Sequence, residues 1–542
     1  MSDLSYNSFR ALADRVASTP DAPVFKLPDL QKPGNWVDVP YSQFQANIHH
    51  MAKFWNSKLT SRGIAMGSVI GVWTPGFTYP EAITMYSLSR AGFIPQMMPF
   101  EIPNASLALA LFAKTDAQAI VHTSDKTGGI LETGSKIHLF EDVHFSRVLE
   151  EDVAHIPLPV LPEATPESTV YIFHSSGSVS GIPKVIPIMN KWVAAIERKY
   201  GKTFRRQVIP GQSQDTWPWA SPISHSLMSC MFQYIMSIGG CVVQSSYYDY
   251  TPTELVEMVE SAGVNRIFQF ANILKRNLEF AKSGVPEPRL LGALKGLRQI
   301  TFGGMSLPRE WEDWAFSQDI PLTSSFGSTE AGSMLTSSIG DRRLEVLDET
   351  KYEFSPTDVT SVGGQEYAKL FEFCILPGSP DLPHPSLCDA DGSWRSGDLF
   401  EVMAPGKYLF RGRDDDWLQS YWADKIDTKN IEENVYTTCP DLVSKCTVVG
   451  DNRPFPALFI EGKNSEEDPN VLRSKVLERI SEFQNNLFFH ERITNVNMIK
   501  VVPANSLMRN RKGSVRRRAV EEQYKEEIEA MYASVDSCAL YI

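Results

Sequence analysis

Short apolar runs alternate with amphipathic stretches along much of the chain. The runs at residues 69–73 and 170–173 are rich in β-branched and aromatic residues, which is typical of buried strands. After the first run, Thr78 and Glu81 form a capping box for a helix that we expect to end at Arg90. Because strands and helices keep alternating in this way, the pattern predicts parallel sheets covered by helices.

The pattern changes twice. The proline-rich residues 158–168, "LPVLPEATPES", predict a crossing between two lobes, and residues 345–410 read as shorter strands with turns. A charged, smaller α+β piece then begins at Arg413. We therefore predict an α/β fold of two domains. Residues 1–412 form a large N-terminal domain of parallel sheets covered by helices plus a distorted β-barrel, and residues 413–542 form a small mobile α+β C-terminal domain.

Composition narrows the class of protein. The chain has 542 residues and a net charge of −13, so nucleic acid and anionic membranes are not expected as partners. No stretch is long and apolar enough to span a membrane, and the N-terminus lacks the apolar core of a signal peptide. The seven cysteines are scattered without a C-x-x-C pair, which indicates reduced thiols and a cytoplasmic protein.

A loop of serines and glycines, "HSSGSVSGIPKVIP", follows the second apolar run. Its backbone N–H groups and hydroxyls can bind phosphate oxygens, and Lys184 adds a positive charge. The spacing differs from that of P-loop nucleotidases, because three residues separate Gly177 from Gly181 and Pro183 disfavours a following helix. The segment therefore predicts a phosphate loop of another kind, with a flexible linker as the alternative.

Four further motifs suggest nucleotide chemistry. In "TSSFGSTEAG", Phe326 offers a flat face, Thr329 a hydroxyl and Glu330 a ligand for a hard cation. In "WRSGDLF", Asp398 follows a glycine, where a carboxylate can bind ribose hydroxyls. The other two are "YLFRGRDDDWLQS", which contains Arg413, and the basic "RNRKGSVRRR". Each has an ordinary alternative: a turn, a solvated acidic face or a nucleic-acid patch.

In this order, the five motifs resemble those of the adenylate-forming superfamily, which comprises acyl-CoA synthetases, luciferases and adenylation domains of nonribosomal peptide synthetases. "SSGSVSGIPK" is similar to its phosphate loop, "FGSTE" to its aromatic-Gly-x-Thr-Glu motif, "SGDLF" to its Thr-Gly-Asp motif and "GRDDD" to its hinge. "RGRDDDWLQS", "DTKNIEENV" and "KGSVRRRAVEEQYKEEIEAMY" resemble the adenylation domains of fungal nonribosomal-peptide-synthetase-like carboxylic acid reductases. Those proteins join this domain to a carrier and then to a reductase or thioesterase domain.

The resemblance implies that ATP, with Mg²⁺, converts a carboxylic acid to an acyl-adenylate and pyrophosphate. The acyl group then passes to the phosphopantetheine thiol of a carrier (thiolation) domain, which is expected to begin near the last residues, "DSCALYI". The residues implied to be catalytic are Lys512, Thr329 and Glu330, the last also as the Mg²⁺ ligand. The residues implied to bind nucleotide are Ser175, Ser176, Gly177, Ser178, Lys184, Gly304, Ser325, Phe326, Gly327, Ser328, Thr329, Asp398, Phe410 and Arg413. The implied acyl pocket contains His225, Gly303 and Gly304, and the implied hinge is Asp415.

The sequence departs from the family pattern in three places. Lys512 precedes a glycine where many relatives have Gly-Lys, and "YWADKIDTKN" replaces a Gly-x-Arg segment. "SPISHSLMSC" lacks the aspartate of amino-acid-activating domains, which favours a non-amino acid, aromatic or aryl-keto. Trp219, Phe232 and Phe270 are candidates for this pocket or for the core. The alternatives are a free-standing acyl- or aryl-CoA ligase and a catalytically silent nucleotide-binding interaction protein.

Overall fold

The computed structural model describes residues 7–534 except 33, 103, 134, 142–144, 150, 152, 176–182, 205–213, 248, 305, 357–360, 363–364, 367–369, 414–417, 423–424, 427, 465, 509–514 and 516. Within this part of the chain, no helix has both the length and the apolarity to cross a bilayer. Its six cysteines are free thiols.

The described strands belong to six sheets. They are β1 (Pro23–Pro28), β2 (Trp36–Pro40), β3 (Val69–Trp73), β4 (Ile94–Met97), β5 (Ala119–His122), β6 (His138–Glu141), β7 (Thr169–Ser175), β8 (Lys184–Met189), β9 (Thr216–Pro218), β10 (Cys241–Val243), β11 (Arg266–Phe270), β12 (Gln299–Gly303), β13 (Leu322–Ser328), β14 (Gly332–Ser337), β15 (Leu344–Val346), β16 (Tyr352–Pro356), β17 (Ser361–Val362), β18 (Gln365–Glu366), β19 (Phe371–Ile375), β20 (Trp394–Ala404), β21 (Lys407–Arg413), β22 (Leu418–Gln419), β23 (Lys425–Ile426), β24 (Val443–Val449), β25 (Ala457–Gly462) and β26 (Ile499–Val502).

The described helices lie between and around these sheets. They are α1 (Asn7–Ser18), α2 (Tyr41–Thr60), α3 (Tyr79–Arg90), α4 (Ala105–Ala113), α5 (Ser124–Glu132), α6 (Phe145–Leu149), α7 (Asn190–Thr203), α8 (Ser226–Ile238), α9 (Pro252–Ser261), α10 (Ala271–Ser283), α11 (Leu290–Gly296), α12 (Arg309–Ser317), α13 (Thr428–Thr438), α14 (Pro469–Gln484), α15 (Arg517–Gln523) and α16 (Lys525–Ala533).

Two large sheets carry most of the candidate site. One has the order β6-β5-β3-β4-β7-β8, parallel except for its last pair. The other has nine strands, β11-β12-β13-β14-β15-β21-β20-β19-β16, of which β11 to β13 are parallel and the rest antiparallel. The predicted α/β class, with a large N-terminal part and a smaller C-terminal part, is confirmed.

Helix α3 shows why the apolar pattern predicts this interior. The predicted capping box of Thr78 and Glu81 is present, and Gly92, with φ of +90°, follows the helix end. Nearly every residue of α3 is buried, and it contributes to one cluster with α2 and α8. A helix that is buried on all sides lies between layers rather than on the surface.

The expectation for residues 158–168 is wrong. The four strands before this segment, β3 to β6, and the two that follow it, β7 and β8, belong to the same six-stranded sheet. The segment therefore returns the chain to that sheet instead of linking two lobes. Among the described residues, a separate apolar cluster is built only from positions between Leu418 and Ile528, around the sheet β24-β25-β26.

Candidate active site

The Ser/Gly-rich segment connects two antiparallel strands. β7 ends at Ser175, β8 begins at Lys184, and these two residues face each other in the ladder. Lys184 is exposed, so its ammonium is available to an anion at the mouth of the segment. Three further residues expected to bind phosphate, Ser176, Gly177 and Ser178, lie outside the described residues.

Three parallel strands, β11, β12 and β13, end side by side in the nine-stranded sheet. Phe270 at the end of β11 lies opposite Gly303 at the end of β12, and β12 pairs in parallel with β13. Ligands of open α/β sheets bind at the carboxyl ends of such strands. The structure therefore brings Gly303, Gly304 and Ser325 to one edge, as the proposed roles require.

Gly303 is a glycine for a reason that the sequence does not show. A Cβ atom there would lie 2.7 Å from the carbonyl oxygen of Ser325 and 3.3 Å from Cζ of Phe268. The resemblance implied that Gly303 belongs to the acyl pocket, but the nearest atom that a Cβ would meet belongs to the protein's own neighbouring strand. Gly304 is exposed and has φ of +79°, a conformation that favours glycine.

The "FGSTEAG" motif forms a tight β-hairpin between β13 and β14. Gly327 packs so closely against the partner strand that a Cβ would lie 2.5 Å from the carbonyl oxygen of Gly332. The backbone N–H of Ala331 donates to Oγ of Ser328 at 3.1 Å, which holds the turn. Thr329 and Glu330 are thereby carried at the tip of a well-defined hairpin, and both are half-buried.

Glu330 suits a magnesium ion that binds mainly through the nucleotide. Among the described residues, no group of three or more His, Cys, Asp or Glu side chains is arranged to hold a metal. Mg²⁺ commonly binds through one or two carboxylates plus substrate phosphates, so a single carboxylate at this tip fits it. When bound, the ion would neutralise charge on the phosphates.

The expected nucleoside pocket lies where β20 and β21 pair. Asp398 is buried and faces Arg413 in the ladder, so the two residues expected at the ribose are neighbours. The ring of Phe326 lies 5.5 Å from that of Phe410 and 5.1 Å from that of Phe400. Both rings expected near the nucleotide therefore belong to one aromatic cluster. The position of Arg413 is described at the level of its backbone.

His225 marks the beginning of helix α8. Its Nδ1 accepts a hydrogen bond from the backbone N–H of Leu227, and its ring meets that of Phe270 edge to face with centroids 6.1 Å apart. The imidazole is exposed. Trp219 and Phe232, in contrast, are fully buried in the main cluster. All three aromatic residues belong to the main buried cluster, and Phe270 also contacts the candidate pocket residue His225.

Two residues near the site were not found from the sequence. The side-chain amide of Gln419 donates to the carbonyl oxygen of Gly304 at 2.7 Å. Tyr421, the first residue of the unassigned "YWADKIDTKN", lies close enough to the guanidinium of Arg276 to raise its pKa, and Arg276 also forms an ion pair with Asp249. The sequence holds no local signal for these contacts, because the partners are more than a hundred positions apart.

The basic segment near the C-terminus is partly a structural element. Arg517 is buried at the start of α15, where its Nε donates to the carbonyl oxygen of Val448 and its Nη2 to Glu432, both at 2.7 Å. This arginine is therefore not part of an exposed nucleic-acid patch. Lys512 and the hinge residue Asp415 lie outside the described residues, so their roles stay predictions.

Comparisons with known proteins agree with this arrangement. The AMP-binding enzyme family matches residues 12–359, and the AMP-binding enzyme C-terminal domain matches residues 415–536. The chain is 32% identical over 524 residues to the AMP-binding domain-containing enzyme iboA of Amanita muscaria, covering 93% of this chain and 99% of that protein. It is 24% identical to the adenylate-forming reductase Nps10 of Heterobasidion annosum, over 76% of this chain and 37% of that protein.

The fold is also shared with a solved structure. The o-succinylbenzoate CoA synthetase of Bacillus subtilis, bound with a product analogue, superimposes with a TM-score of 0.71 at 14% identity. The match covers 94% of this chain and 98% of that one. The hairpin that carries Thr329 and Glu330 and the ends of the strands at Gly303 agree with a family match that covers most of the chain. The chain therefore belongs to the AMP-binding enzyme family and is an adenylate-forming ligase.

Proposed function

We propose that the protein activates a non-amino carboxylic acid, aromatic or aryl-keto, and passes it to the phosphopantetheine thiol of a carrier domain. The choice of an aromatic acid rests on the contact between His225 and Phe270, which gives the proposed acid pocket an aromatic wall. The segment of this wall, residues 221–230, contains no carboxylate. An α-ammonium group buried there would lack a partner, which costs free energy.

The proposed chemistry uses charge and position rather than a strong base. The substrate carboxylate attacks the α-phosphorus of ATP and pyrophosphate leaves, so negative charge builds up on phosphoryl oxygens. Lys184 and its loop bind the outer phosphates, Thr329 donates to the α-phosphate, and Glu330 holds the metal. Lys512 bridges the carboxylate and the α-phosphate, and Asp398 binds the ribose.

Transfer to the thiol follows in a second arrangement of the domains. In this proposal, the unit of residues 413–542 rotates about Asp415, withdraws Lys512 and opens a path for the thiol. The likeness to adenylate-forming reductases supports a carrier as the acceptor. Reduced thiols in the described region support a cytoplasmic location.

Pyrophosphate exchange with matched acids tests the first half-reaction. We expect benzoate or phenylpyruvate to support faster exchange than phenylalanine, and Lys512→Ala to lower the rate by about 10²–10³-fold, since one preorganised cation is lost. Faster exchange with phenylalanine would contradict the proposed pocket. An absence of exchange with every acid in a broad panel would favour a silent nucleotide-binding protein.

The acceptor needs a separate measurement. Purified acyl-adenylate is supplied with either CoA or a phosphopantetheinylated carrier domain taken from an adenylate-forming reductase, and thioester is measured by mass spectrometry. We expect thioester to form on the carrier at a lower acceptor concentration than on CoA. A clear preference for CoA would favour the free-standing CoA ligase.

A further inference from the structure

A histidine lies buried directly before the Ser/Gly-rich segment. His174 is the next-to-last residue of β7 and is 7% exposed. The four residues before it in the strand, 170–173, are apolar or aromatic and also buried. Neither the proposed reaction nor the motif resemblance uses His174, so its polar ring in this strand calls for a physical reason.

The hydrogen bonds around His174 determine which ring nitrogen carries the proton. Nε2 of His174 lies 3.2 Å from Nε2 of Gln96 on β4. The same Gln96 nitrogen lies 3.3 Å from the carbonyl oxygen of Leu111, which can only accept, and Thr115 donates its hydroxyl to the amide oxygen. The amide nitrogen of Gln96 is therefore the donor, His174 Nε2 accepts, and the ring proton is on Nδ1.

The ring is neutral in the folded protein. Burial, together with the nearby ammonium of Lys114, lowers the pKa of His174 to about 3. The single proton therefore stays on Nδ1 throughout the pH range in which enzymes are normally assayed. His174 offers one fixed donor that does not depend on pH.

That donor has no hydrogen-bond partner among the residues that the structure describes. Nδ1 of His174 is buried, and no described group accepts from it. Burying an unpaired N–H costs free energy, and most buried polar groups are paired for this reason. A phenylalanine would fill the same space without this cost, so an unpaired donor at this point indicates an acceptor that arrives from outside.

The surroundings of the ring favour a negatively charged acceptor. Lys114 is close enough to act on the ring electrostatically, and Lys184 faces Ser175, the neighbour of His174, across the ladder. The ammonium of Lys114 near a neutral N–H donor contributes a local field that attracts an anion. Among the residues that the structure describes, no carboxylate acts on the His174 ring.

We propose that His174 is a further nucleotide-binding residue, whose Nδ1–H donates a hydrogen bond to a phosphate oxygen of the triphosphate. The proposal rests on the proposed function, because it takes ATP to be the ligand at this loop. It adds a donor that precedes the motif residues. It also explains why the strand keeps a polar ring in an apolar environment.

The test compares three substitutions that separate the two ring nitrogens. His174→Asn keeps an N–H donor near the position of Nδ1. His174→Gln places its amide oxygen near the position of Nε2, where it can still accept from Gln96, but has no donor near Nδ1. His174→Phe keeps only the volume. ATP, pyrophosphate and AMP affinities are measured by calorimetry without acid. Because a hydrogen bond to a charged group is lost, we expect His174→Phe and His174→Gln to weaken ATP about 10- to 100-fold. His174→Asn should stay within about threefold of wild type, and AMP affinity should change little.

Stability provides the second readout. We expect His174→Phe without nucleotide to unfold at the same denaturant concentration as wild type or at a higher one, because the unpaired donor is gone. Weaker ATP binding together with unchanged or higher stability supports the proposal. Unchanged ATP affinity in His174→Phe overturns it, as does equal weakening of ATP and AMP with lower stability, since that pattern indicates a role in folding alone. A wild-type protein that binds no ATP would instead refute the proposed function.

Discussion

At the scale of a single residue, Gly303 shows how closely two strands approach at the candidate site. We predict that Gly303→Ala costs about 1–3 kcal/mol of stability, because the new methyl group would overlap the carbonyl oxygen of Ser325. Pyrophosphate exchange should fall at least about tenfold, because a 1 Å misplacement at a site is costly. Urea unfolding and exchange rates measure the two effects.

Gly292 provides a matched control for this substitution. It lies within helix α11, and a Cβ there would meet no atom within 4 Å. Gly292→Ala should therefore raise stability by up to about 1 kcal/mol, because alanine favours the helix. A Gly303→Ala protein that is as stable and active as the Gly292→Ala protein would show that β13 can move aside without cost.

A buried ion pair joins helix α7 to the segment that follows strand β19 of the nine-stranded sheet. Lys199 contacts Asp381, both side chains are fully buried, and Ser379 and Thr350 also donate to the carboxylate. We predict that Lys199→Met costs about 3–5 kcal/mol, since it leaves an unpaired buried charge. Lys199→Met combined with Asp381→Asn should recover part of the lost stability, because neither side chain of the pair is then charged. Urea unfolding of the wild type, the single variant and the double variant measures these stabilities. If the double variant is less stable than Lys199→Met alone, charge burial is not the cause.

The same pair gives a pH dependence with a definite sign. Burial opposes ionisation of Asp381, but the ammonium of Lys199 and two hydroxyls outweigh it and hold its pKa below the ordinary 3.8. The stability that this carboxylate contributes is therefore present above about pH 4 and is lost as the pH falls below it. In Lys199→Met the pKa of the Asp381 carboxyl should rise, so its protonation at low pH removes the unpaired buried charge of the variant. The stability difference between wild type and Lys199→Met should shrink from pH 7 to pH 4.5, and a constant difference would contradict this explanation.

At the scale of secondary structure, the local signals were sufficient where the partner residues are close in sequence. The capping box of α3 was predictable because Thr78 and Glu81 are three positions apart. The strand before the Ser/Gly-rich segment was predictable from its β-branched run. That Ser175 and Lys184 pair across a hairpin was not predicted, because Pro183 excluded only a helix.

Tertiary contacts were beyond this kind of prediction. Nothing local indicates that Phe270, which like Trp219 belongs to the core cluster, also contacts His225, since both are aromatic residues in apolar runs. Likewise, Arg517 looks like one more exposed arginine in a basic run. Only the fold shows that Glu432 comes within its reach.

Helix α15 depends on this arginine. We predict that Arg517→Met lowers the stability of the C-terminal part by about 2–4 kcal/mol, because Glu432 and the carbonyl of Val448 lose a shared partner in a largely buried position. Pyrophosphate exchange should fall as well, because Lys512 is proposed to act only five positions earlier. The exposed neighbour provides the control, and Arg518→Met should change stability by less than about 0.5 kcal/mol. Equal effects of the two substitutions, measured by urea unfolding, would contradict the assignment of Arg517 as the anchor of α15.

At the scale of the whole molecule, the described residues of the C-terminal part contact the rest of the chain both near the site and at helix α4. Near the site, Gln419 bonds to Gly304. At the start of α4, Asn104 donates to the carbonyl of Asn485 at 3.1 Å, and Phe488 packs in the apolar cluster that contains Trp73. A proposed rotation of residues 413–542 would have to break these contacts, so their strength sets how readily the arrangement changes.

The contacts near the site can be weakened without touching either core. Gln419→Ala with Tyr421→Phe removes the hydrogen bond to Gly304 and the hydroxyl that interacts with Arg276. These two interactions are together enough to change the ratio of two arrangements roughly tenfold. If each half-reaction uses a different arrangement, one rate should rise or hold while the other falls. The measurements are pyrophosphate exchange and thioester formation from supplied acyl-adenylate. Val471→Ala, at an exposed position of helix α14, should leave both rates unchanged. If both rates fall equally in the double variant, Gln419 and Tyr421 support the site itself. They would then not be what stabilises the observed arrangement of the C-terminal part.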